Sequence, residues 1–235
     1  MGWLTADAAQ IPEDDGWLKP AERVRLATLQ IPARRADWRL GRWTAKHAVA
    51  AFLGADPMAV EIRPAADGAP EALLHGGPAP VSLSFSHRAG RAACAVAPAG
   101  TALGCDLELV EPRSAAFVRD YLTPAEQALV EAAPEMDRPL LVNLIWSAKE
   151  SALKALHTGL RLDTRSVEVR LPDGENEGWR PLAVHARETG PDFAGDFAGD
   201  FAGWWKRDGG YVLTLAASPP PGLPRPLLDR APGRA

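Results

Sequence analysis

The sequence has 235 residues, of which 46% are hydrophobic and 24% are charged, so it can bury one large core or two small ones. Its formal net charge of −4 argues against broad nucleic-acid binding, which needs a basic excess. No apolar run reaches the roughly 18 residues of a membrane span, and the N-terminus lacks the regions of a signal peptide. We therefore expect a cytoplasmic protein with no membrane or nucleic-acid partner. Cys94 and Cys105 suit neither a zinc site nor a disulfide framework.

Helices come first along the chain, and short strands follow. One helix should open near Pro20, and a second should run through residues 34–53 and stop at Gly54. Strands are expected at residues 60–64, 81–86, 92–97 and 102–110, because Pro and Gly punctuate the segments between them.

The pattern then turns helical again. Thr123, Pro124 and Glu126 form a capping box with Pro at the first helical position. A longer helix is expected from residue 138 to near Gly159. Strands should follow at residues 166–171, 182–188, 202–207 and 211–217, and this order predicts an α+β fold.

Two repeats stand out. "RWTAKHAVAAFL" (42–53) aligns without a gap with "IWSAKESALKAL" (145–156), which indicates either two similar α+β halves or a chance match. "FAGDFAGDFAG" (193–203) is a low-complexity tandem that we interpret as an expanded hairpin loop. We divide the chain into an N-terminal half (1–100), a C-terminal half (101–217) and a Pro-rich, disordered tail (218–235).

Two carboxylates interrupt the strand "LGCDLELVEP" (103–112). Asp106 and Glu108 are two apart, so they point to the same side of a strand, while Cys105 and Leu107 point to the other. Such a pair forms either a solvated acidic face or a site for a hard cation such as Mg²⁺, which takes carboxylate and phosphate oxygens.

The long helix carries a charged stripe. Glu150 and Lys154 lie four apart and share a face with Trp146. They form either an ion pair on solvent or, because the rest of the helix is apolar, a third carboxylate and a phosphate-directed cation that face a cleft.

Two further groups in the N-terminal half have open interpretations. His87 follows Ser86 at a strand end, where it is either structural or a ligand for a phosphate oxygen. Arg39, Arg42 and Lys46 have helical spacing and form either a solvated basic face or an anion site.

Five segments in this order resemble the 4′-phosphopantetheinyl transferases of the surfactin-synthetase type. "GCDLE" and, about forty residues later, "WSAKESALKAL" are similar to that family's two signature motifs. The segments "LGRWTAK", "SFSHRAGRAACAVA" and "LTPAE" are similar to its other parts, and the resemblance spans residues 34–171.

The resemblance implies two pseudo-symmetric α+β halves, each a helix packed on a small antiparallel sheet, with the active site between them. It also implies a holo-[acyl-carrier-protein] synthase activity. In that reaction the Ser hydroxyl of an acyl- or peptidyl-carrier domain attacks the β-phosphate of coenzyme A, and 3′,5′-ADP leaves. The cofactor would be Mg²⁺, with Mn²⁺ as an alternative, and the form would be monomeric.

The family's roles carry over to matching positions. The metal ligands would be Asp106, Glu108 and Glu150, with Glu150 also taking the serine proton. Lys154 would pair with the α-phosphate, and His87 would contact the phosphates. The remaining coenzyme A contacts would be Arg42, Lys46, Ser86 and Lys149, with Lys149 alternatively orienting the site.

One position departs from the pattern. Many family members have Gly-Lys-Pro before the Ser-His strand, whereas this chain has Gly68, Ala69 and Pro70, so a phosphate-binding cation is missing there. Arg63 or Arg88 would have to compensate. The departure leaves a second hypothesis open, a non-catalytic module that binds coenzyme A or a carrier. A Mg²⁺-dependent phosphodiesterase is a third hypothesis.

Carrier recognition maps to "RSAAFVRDYL" (113–122). Phe117, Val118, Tyr121 and Leu122 would either meet the carrier or pack among their own helices, and Arg113 and Arg119 would face its acidic rim. We expect a carrier from polyketide, nonribosomal-peptide or siderophore biosynthesis, because both halves are fused in one chain.

Overall fold

The computed structural model describes residues 1–186 and 200–227. The chain forms two compact units, one made of residues 1–101 with the segment that begins at Pro224, and one made of residues 102–223. Helices and antiparallel strands occur in both, so the expected α+β class is confirmed. In the described part of the chain, no helix combines the length and the apolar character that crossing a membrane requires.

The first unit contains two helices and several short strands. Its elements are β1 (Gly2–Asp7), α1 (Pro20–Ala27), α2 (Pro32–Leu53), β2 (Val60–Pro64), β3 (Pro70–Leu74), β4 (Gly77–Pro78), β5 (Val81–Arg88) and β6 (Arg91–Pro98). One sheet pairs β5, β6 and β1 antiparallel, and β2, β3 and β4 form a second. Helix α2 buries Ala45, Val49 and their neighbours in the core of this unit.

The second unit is a helix packed on a larger sheet. Its elements are β7 (Ala102–Leu109), α3 (Ala115–Tyr121), α4 (Pro124–Ala132), α5 (Arg138–Ala155), β8 (Val167–Arg170), β9 (Arg180–Ala186), β10 (Asp200–Asp208) and β11 (Tyr211–Ser218). The sheet order is β7-β11-β10-β9-β8, and every pairing within it is antiparallel. Helix α5 covers one face and buries Ile145, Ala148 and Ala152 in the core.

Small residues let α5 approach β7 closely. A β-carbon on Gly104 would overlap the Ser151 carbonyl oxygen, which only glycine avoids. Three buried hydroxyls extend the contact onto β11, where Thr214 meets Ser147 at 2.8 Å and Ser151 at 2.7 Å. This close approach places Asp106, two residues beyond Gly104 on the same face of β7, against the helix.

Each unit contains the same buried lysine–glutamate pair. In the first, Glu22 accepts from Lys46 Nζ at 3.0 Å and from the backbone N–H of Ile62 at 3.0 Å. In the second, Glu126 lies 2.9 Å from Lys149 Nζ and accepts from the backbone N–H of Val169 at 2.8 Å.

Each glutamate also caps its own helix. Glu22 and Glu126 are both the third residue of a helix that opens Pro-Ala-Glu, and each accepts the backbone N–H of the residue before that proline. One carboxylate therefore ties the short helix, the long helix and the following strand together in both units.

Most of the predicted elements are confirmed, including the Thr123–Glu126 capping box and the left-handed Gly54 that ends α2. The two repeated segments lie in α2 and α5. Helix α5 ends at Ala155, four residues before the expected Gly159, and a 3-10 turn follows at Gly159–Arg161. The N-terminal strand β1 was not predicted.

Two further expectations need correction. The "FAGD" tandem was expected to form a loop, but its residues 200–203 begin β10, while residues 193–199 lie outside the described chain. The tail was expected to be disordered from residue 218. Within its described part, Arg225–Pro226 form a short strand, β12, that pairs parallel with β1.

Candidate active site

Strand β7 directs both acidic side chains towards α5. Asp106 and Glu108 lie on the same face as Gly104, because alternate residues of a strand share a face. Opposite them, Trp146, Glu150 and Lys154 follow one another at intervals of four along α5, and so share a helical face. The strand period and the helix period therefore bring five functional groups into one cluster within the second unit.

Asp106 and Lys154 form the strongest contact of this cluster. Lys154 Nζ donates to Asp106 Oδ1 at 2.7 Å and to the Cys105 carbonyl at 3.0 Å. Burial lowers the pKa of Lys154, but the charge and hydrogen bond of Asp106 outweigh it, so the net pKa is raised. Lys154 is therefore a fixed positive charge beside the carboxylates.

Glu108 is held by two donors. The indole N–H of Trp146 donates to Oε1 at 3.0 Å, and Arg113 donates to Oε2 at 3.0 Å. Both oxygens of this carboxylate are thereby engaged.

Glu150 is the carboxylate with an unused oxygen. Its Oε1 is buried and accepts no hydrogen bond from any residue in the described ranges. Burial raises its pKa to about 7, with a further contribution from the negative charge of Asp106 and a smaller one from Glu108. Such a carboxylate takes up and releases a proton near neutral pH.

The metal site of Asp106, Glu108 and Glu150 stays a prediction. In residues 1–186 and 200–227, no three His, Cys, Asp or Glu side chains lie close enough together to hold a metal ion. Glu108 is engaged by Arg113 and Trp146. Asp106 and Glu150 do fit a hard cation. Their negative charges repel each other, and the buried Oε1 of Glu150 accepts no hydrogen bond within the described residues.

In the first unit, Arg42 has the character of an anion-binding residue. Its guanidinium lies 4.8 Å from the ring centroid of Trp38 and 5.6 Å from that of Phe85. Its buried Nε has no hydrogen-bond partner within the described chain, and burial lowers its pKa. The aromatic faces hold the cation but leave a donor for a ligand.

Ser86 and His87 lie near the end of β5. Ser86 is half-buried and His87 exposed, and the strand continues through Arg88 to a turn at Ala89 and Gly90. The His87 ring lies beside Gly41 of α2, where an added β-carbon would lie 3.5 Å from it. Helix α2 therefore brings Arg42 to the same region of the unit as His87.

The expected coenzyme A contact at Lys46 needs correction. Its side chain is 1% exposed, and its ammonium pairs with Glu22 and donates to the Trp17 carbonyl at 2.7 Å. Burial lowers its pKa in spite of Glu22. Lys46 holds the unit together and presents no charge to a ligand.

Lys149 needs the same correction. Its side chain is fully buried, pairs with Glu126 and donates to the Thr164 carbonyl at 2.9 Å. Burial lowers its pKa in spite of the charge of Glu126. Lys149 therefore anchors α5 rather than contacting coenzyme A.

The segment expected to meet a carrier divides into buried and exposed residues. Leu122 is fully buried, and Phe117 packs against Trp146 with ring centroids 5.1 Å apart. Tyr121 also touches Trp146, at 5.0 Å, but is 38% exposed. Phe117 and Val118 are half-buried, so Tyr121 is the most exposed of the apolar residues named in this segment.

The contacts that Arg113, Trp146 and Glu126 make with other functional residues were not predicted from the sequence. Trp146 was noted as a motif residue without a partner, and Arg113 was assigned to carrier recognition. A signal for Glu126 was present, because Pro-Ala-Glu occurs at residues 20–22 and again at 124–126, each ahead of one of the aligned helices.

Comparison with known proteins gives one match. The model described as the 4′-phosphopantetheinyl transferase superfamily matches residues 102–202, a little less than half of the chain. The matched segment carries Asp106, Glu108, Glu150 and Lys154. It supports a role in phosphopantetheine transfer in general terms, and it agrees with the resemblance at the level of the superfamily for the part of the chain from residue 102 onwards. No curated protein matches the chain.

Proposed function

We propose that this protein transfers the 4′-phosphopantetheine arm of coenzyme A to a serine of an acyl- or peptidyl-carrier domain and releases 3′,5′-ADP. The observation that carries the proposal is the packing of Asp106, Glu150 and Lys154 between β7 and α5, inside the segment that matches the superfamily. Phosphoryl transfer depends mainly on positioning and on the neutralisation of charge, and this cluster supplies groups for both.

Glu150 is the proposed proton acceptor. A carboxylate whose pKa is raised to about 7 exists in both protonation states at neutral pH. Its unused Oε1 is available to accept the hydrogen of the carrier serine hydroxyl, which makes the oxygen a better nucleophile towards the β-phosphate.

Lys154 and Asp106 set the charge around that acceptor. Asp106 fixes the Lys154 ammonium at 2.7 Å and maintains its positive charge, so Lys154 can pair with a phosphate oxygen. When a divalent cation is bound, Mg²⁺ or Mn²⁺, it would be held by Asp106 and Glu150 and would neutralise pyrophosphate charge.

The first unit is proposed to bind the adenosine phosphates. Arg42 offers a buried N–H donor on a guanidinium that lies over two aromatic rings, and Ser86 and His87 add short-range donors on the neighbouring strand. The missing cation at Ala69 makes Arg42 the principal positive group of this set.

The proposed partners are carrier domains of polyketide, nonribosomal-peptide or siderophore pathways, and the proposed form is a cytoplasmic monomer of the surfactin-synthetase type. Tyr121 and Arg119 are the exposed candidates for contact with the carrier. Acidic helical carriers would suit a surface that pairs an aromatic ring with a cation.

The test is intact-mass analysis of an apo carrier domain after incubation with this protein and coenzyme A, with and without Mg²⁺. We expect a metal-dependent gain of one phosphopantetheine arm and an equal amount of 3′,5′-ADP. Binding of coenzyme A without any mass gain, across several carrier types, would favour the non-catalytic module. Release of 3′,5′-ADP without a modified carrier would favour a phosphodiesterase.

A further inference from the structure

Glu108 already has a cationic partner in this structure. Arg113 donates to Glu108 Oε2 at 3.0 Å, and the two side chains are only 18% and 15% exposed. A charge-assisted hydrogen bond at this degree of burial is screened much less than a surface ion pair. The carboxylate that the D-x-E pattern offers to a cation is thus neutralised by an arginine of the same chain.

Arg113 is held in place by contacts on several sides. Its Nε donates to Asn143 Oδ1 at 2.7 Å, and Asn143 in turn donates to the carbonyls of Glu111 and Pro139, both at 2.7 Å. The guanidinium also lies 5.0 Å from the ring centroid of Phe117 in α3. The pairing with Glu108 is therefore part of a built network and not a chance surface contact.

We infer that Arg113 and a divalent cation compete for Glu108, so that Arg113 sets the cation affinity of the site. With Arg113 bound, Asp106 and Glu150 are the carboxylates that can hold the ion. Glu108 joins them only after it exchanges the guanidinium for the cation.

The inference rests on the proposed function, because it presumes the cation site of the transferase. Its consequence is a protein that binds Mg²⁺ or Mn²⁺ more weakly than its three acidic residues would allow. Because the Arg113 guanidinium lies over the ring of Phe117, cation binding at Glu108 would also affect the contact between Arg113 and α3.

The experiment measures the binding of Mn²⁺ alone to the full chain, from the loss of the free-ion electron paramagnetic resonance signal. The variants are Arg113→Gln and Arg113→Gln combined with Glu108→Gln. The matched control is Arg119→Gln, which removes one positive charge from α3 at a side chain that is 68% exposed and paired with Asp120.

We expect Arg113→Gln to bind Mn²⁺ about three- to tenfold more tightly than the wild type, as the loss of a partly buried charged competitor implies. Glu108→Gln should cancel that gain, and Arg119→Gln should leave the affinity close to the wild-type value. Arg113→Lys serves where the glutamine variant does not fold. It should give an intermediate affinity, because an ammonium cannot span Glu108 and Asn143 as the guanidinium does.

Unchanged or weaker binding by folded Arg113→Gln would overturn the inference and leave the cation site intact. A gain that persists after Glu108→Gln would also overturn it, because the effect would then be general electrostatics. If the wild type itself does not bind Mn²⁺, the cation site of the proposed function fails together with this inference.

Discussion

The backbone of Gly104 in β7 packs directly against the backbone of Ser151 in α5, and a β-carbon on Gly104 would overlap the Ser151 carbonyl oxygen. This approach fixes the distance between strand and helix two residues before Asp106. It is therefore a structural condition for the 2.7 Å contact between Asp106 and Lys154.

Gly104→Ala should strongly destabilise the second unit, because neither backbone can move without disturbing the sheet. We expect a loss of about 3 kcal/mol or more in the free energy of unfolding, at the upper end of overpacking effects. Chemical denaturation measures this value. The matched control is Gly222→Ala, since within the described chain no atom outside its two sequence neighbours lies within 4 Å of the position of its β-carbon. Equal stability of the two variants would show that the close approach is wrong.

Glu150→Gln should make the protein more stable, and more so at higher pH. The folded-state pKa of Glu150 is raised to about 7 from 4.5, so the folded state binds more protons between those values and the wild type loses stability as pH rises through them. The glutamine of the variant is neutral at every pH, so the variant does not lose stability in this way.

The measurement is the melting temperature of both proteins in chelator. The advantage of Glu150→Gln should be small at about pH 5 and larger at about pH 8, because the wild-type carboxylate is ionised only at the higher pH. Glu131→Gln on α4 is a matched change at an exposed position. A stability difference that does not depend on pH would contradict the assigned environment of Glu150.

Lys46→Met and Lys149→Met should each cost about 3 kcal/mol or more in stability, because each leaves a buried glutamate without its ammonium partner. Arg165→Gln is the control. Its pair with Asp163 is more than half exposed, and such a pair contributes little to stability.

The same variants test the correction to the coenzyme A contacts. Where Lys46→Met remains folded, its KM for coenzyme A should stay within about twofold of the wild-type value, because no uniform binding interaction is lost. A stable Lys46→Met variant with a greatly raised KM would restore Lys46 as a ligand for coenzyme A.

Local signals in the sequence predicted much of the fold. The capping box at Thr123 and the stop at Gly54 have short-range causes, and both are confirmed. The C-terminal end of α5 and the strand β12 were not predicted, because they depend on tertiary contacts such as the pairing of Arg225 with the N-terminal strand.

The site could be predicted only in part, for a related reason. The spacing of Asp106 and Glu108 gives their common face, and the spacing of Glu150 and Lys154 gives theirs. The partner of a buried charge depends on distant residues, so Lys46 and Lys149 were assigned to a ligand although each is paired with a glutamate more than twenty residues upstream. Similarly, no spacing rule pairs Glu108 with Arg113.

The most direct test of the central claim is carrier modification by Asp106→Ala, followed by intact mass and compared with the wild type and with Asp173→Ala, a change at an exposed carboxylate. Circular dichroism establishes that each variant is folded. The account predicts near-complete loss of phosphopantetheine transfer in Asp106→Ala alone, because Lys154 loses its partner and the cation a ligand. A folded Asp106→Ala protein that modifies the carrier at the wild-type rate would contradict it.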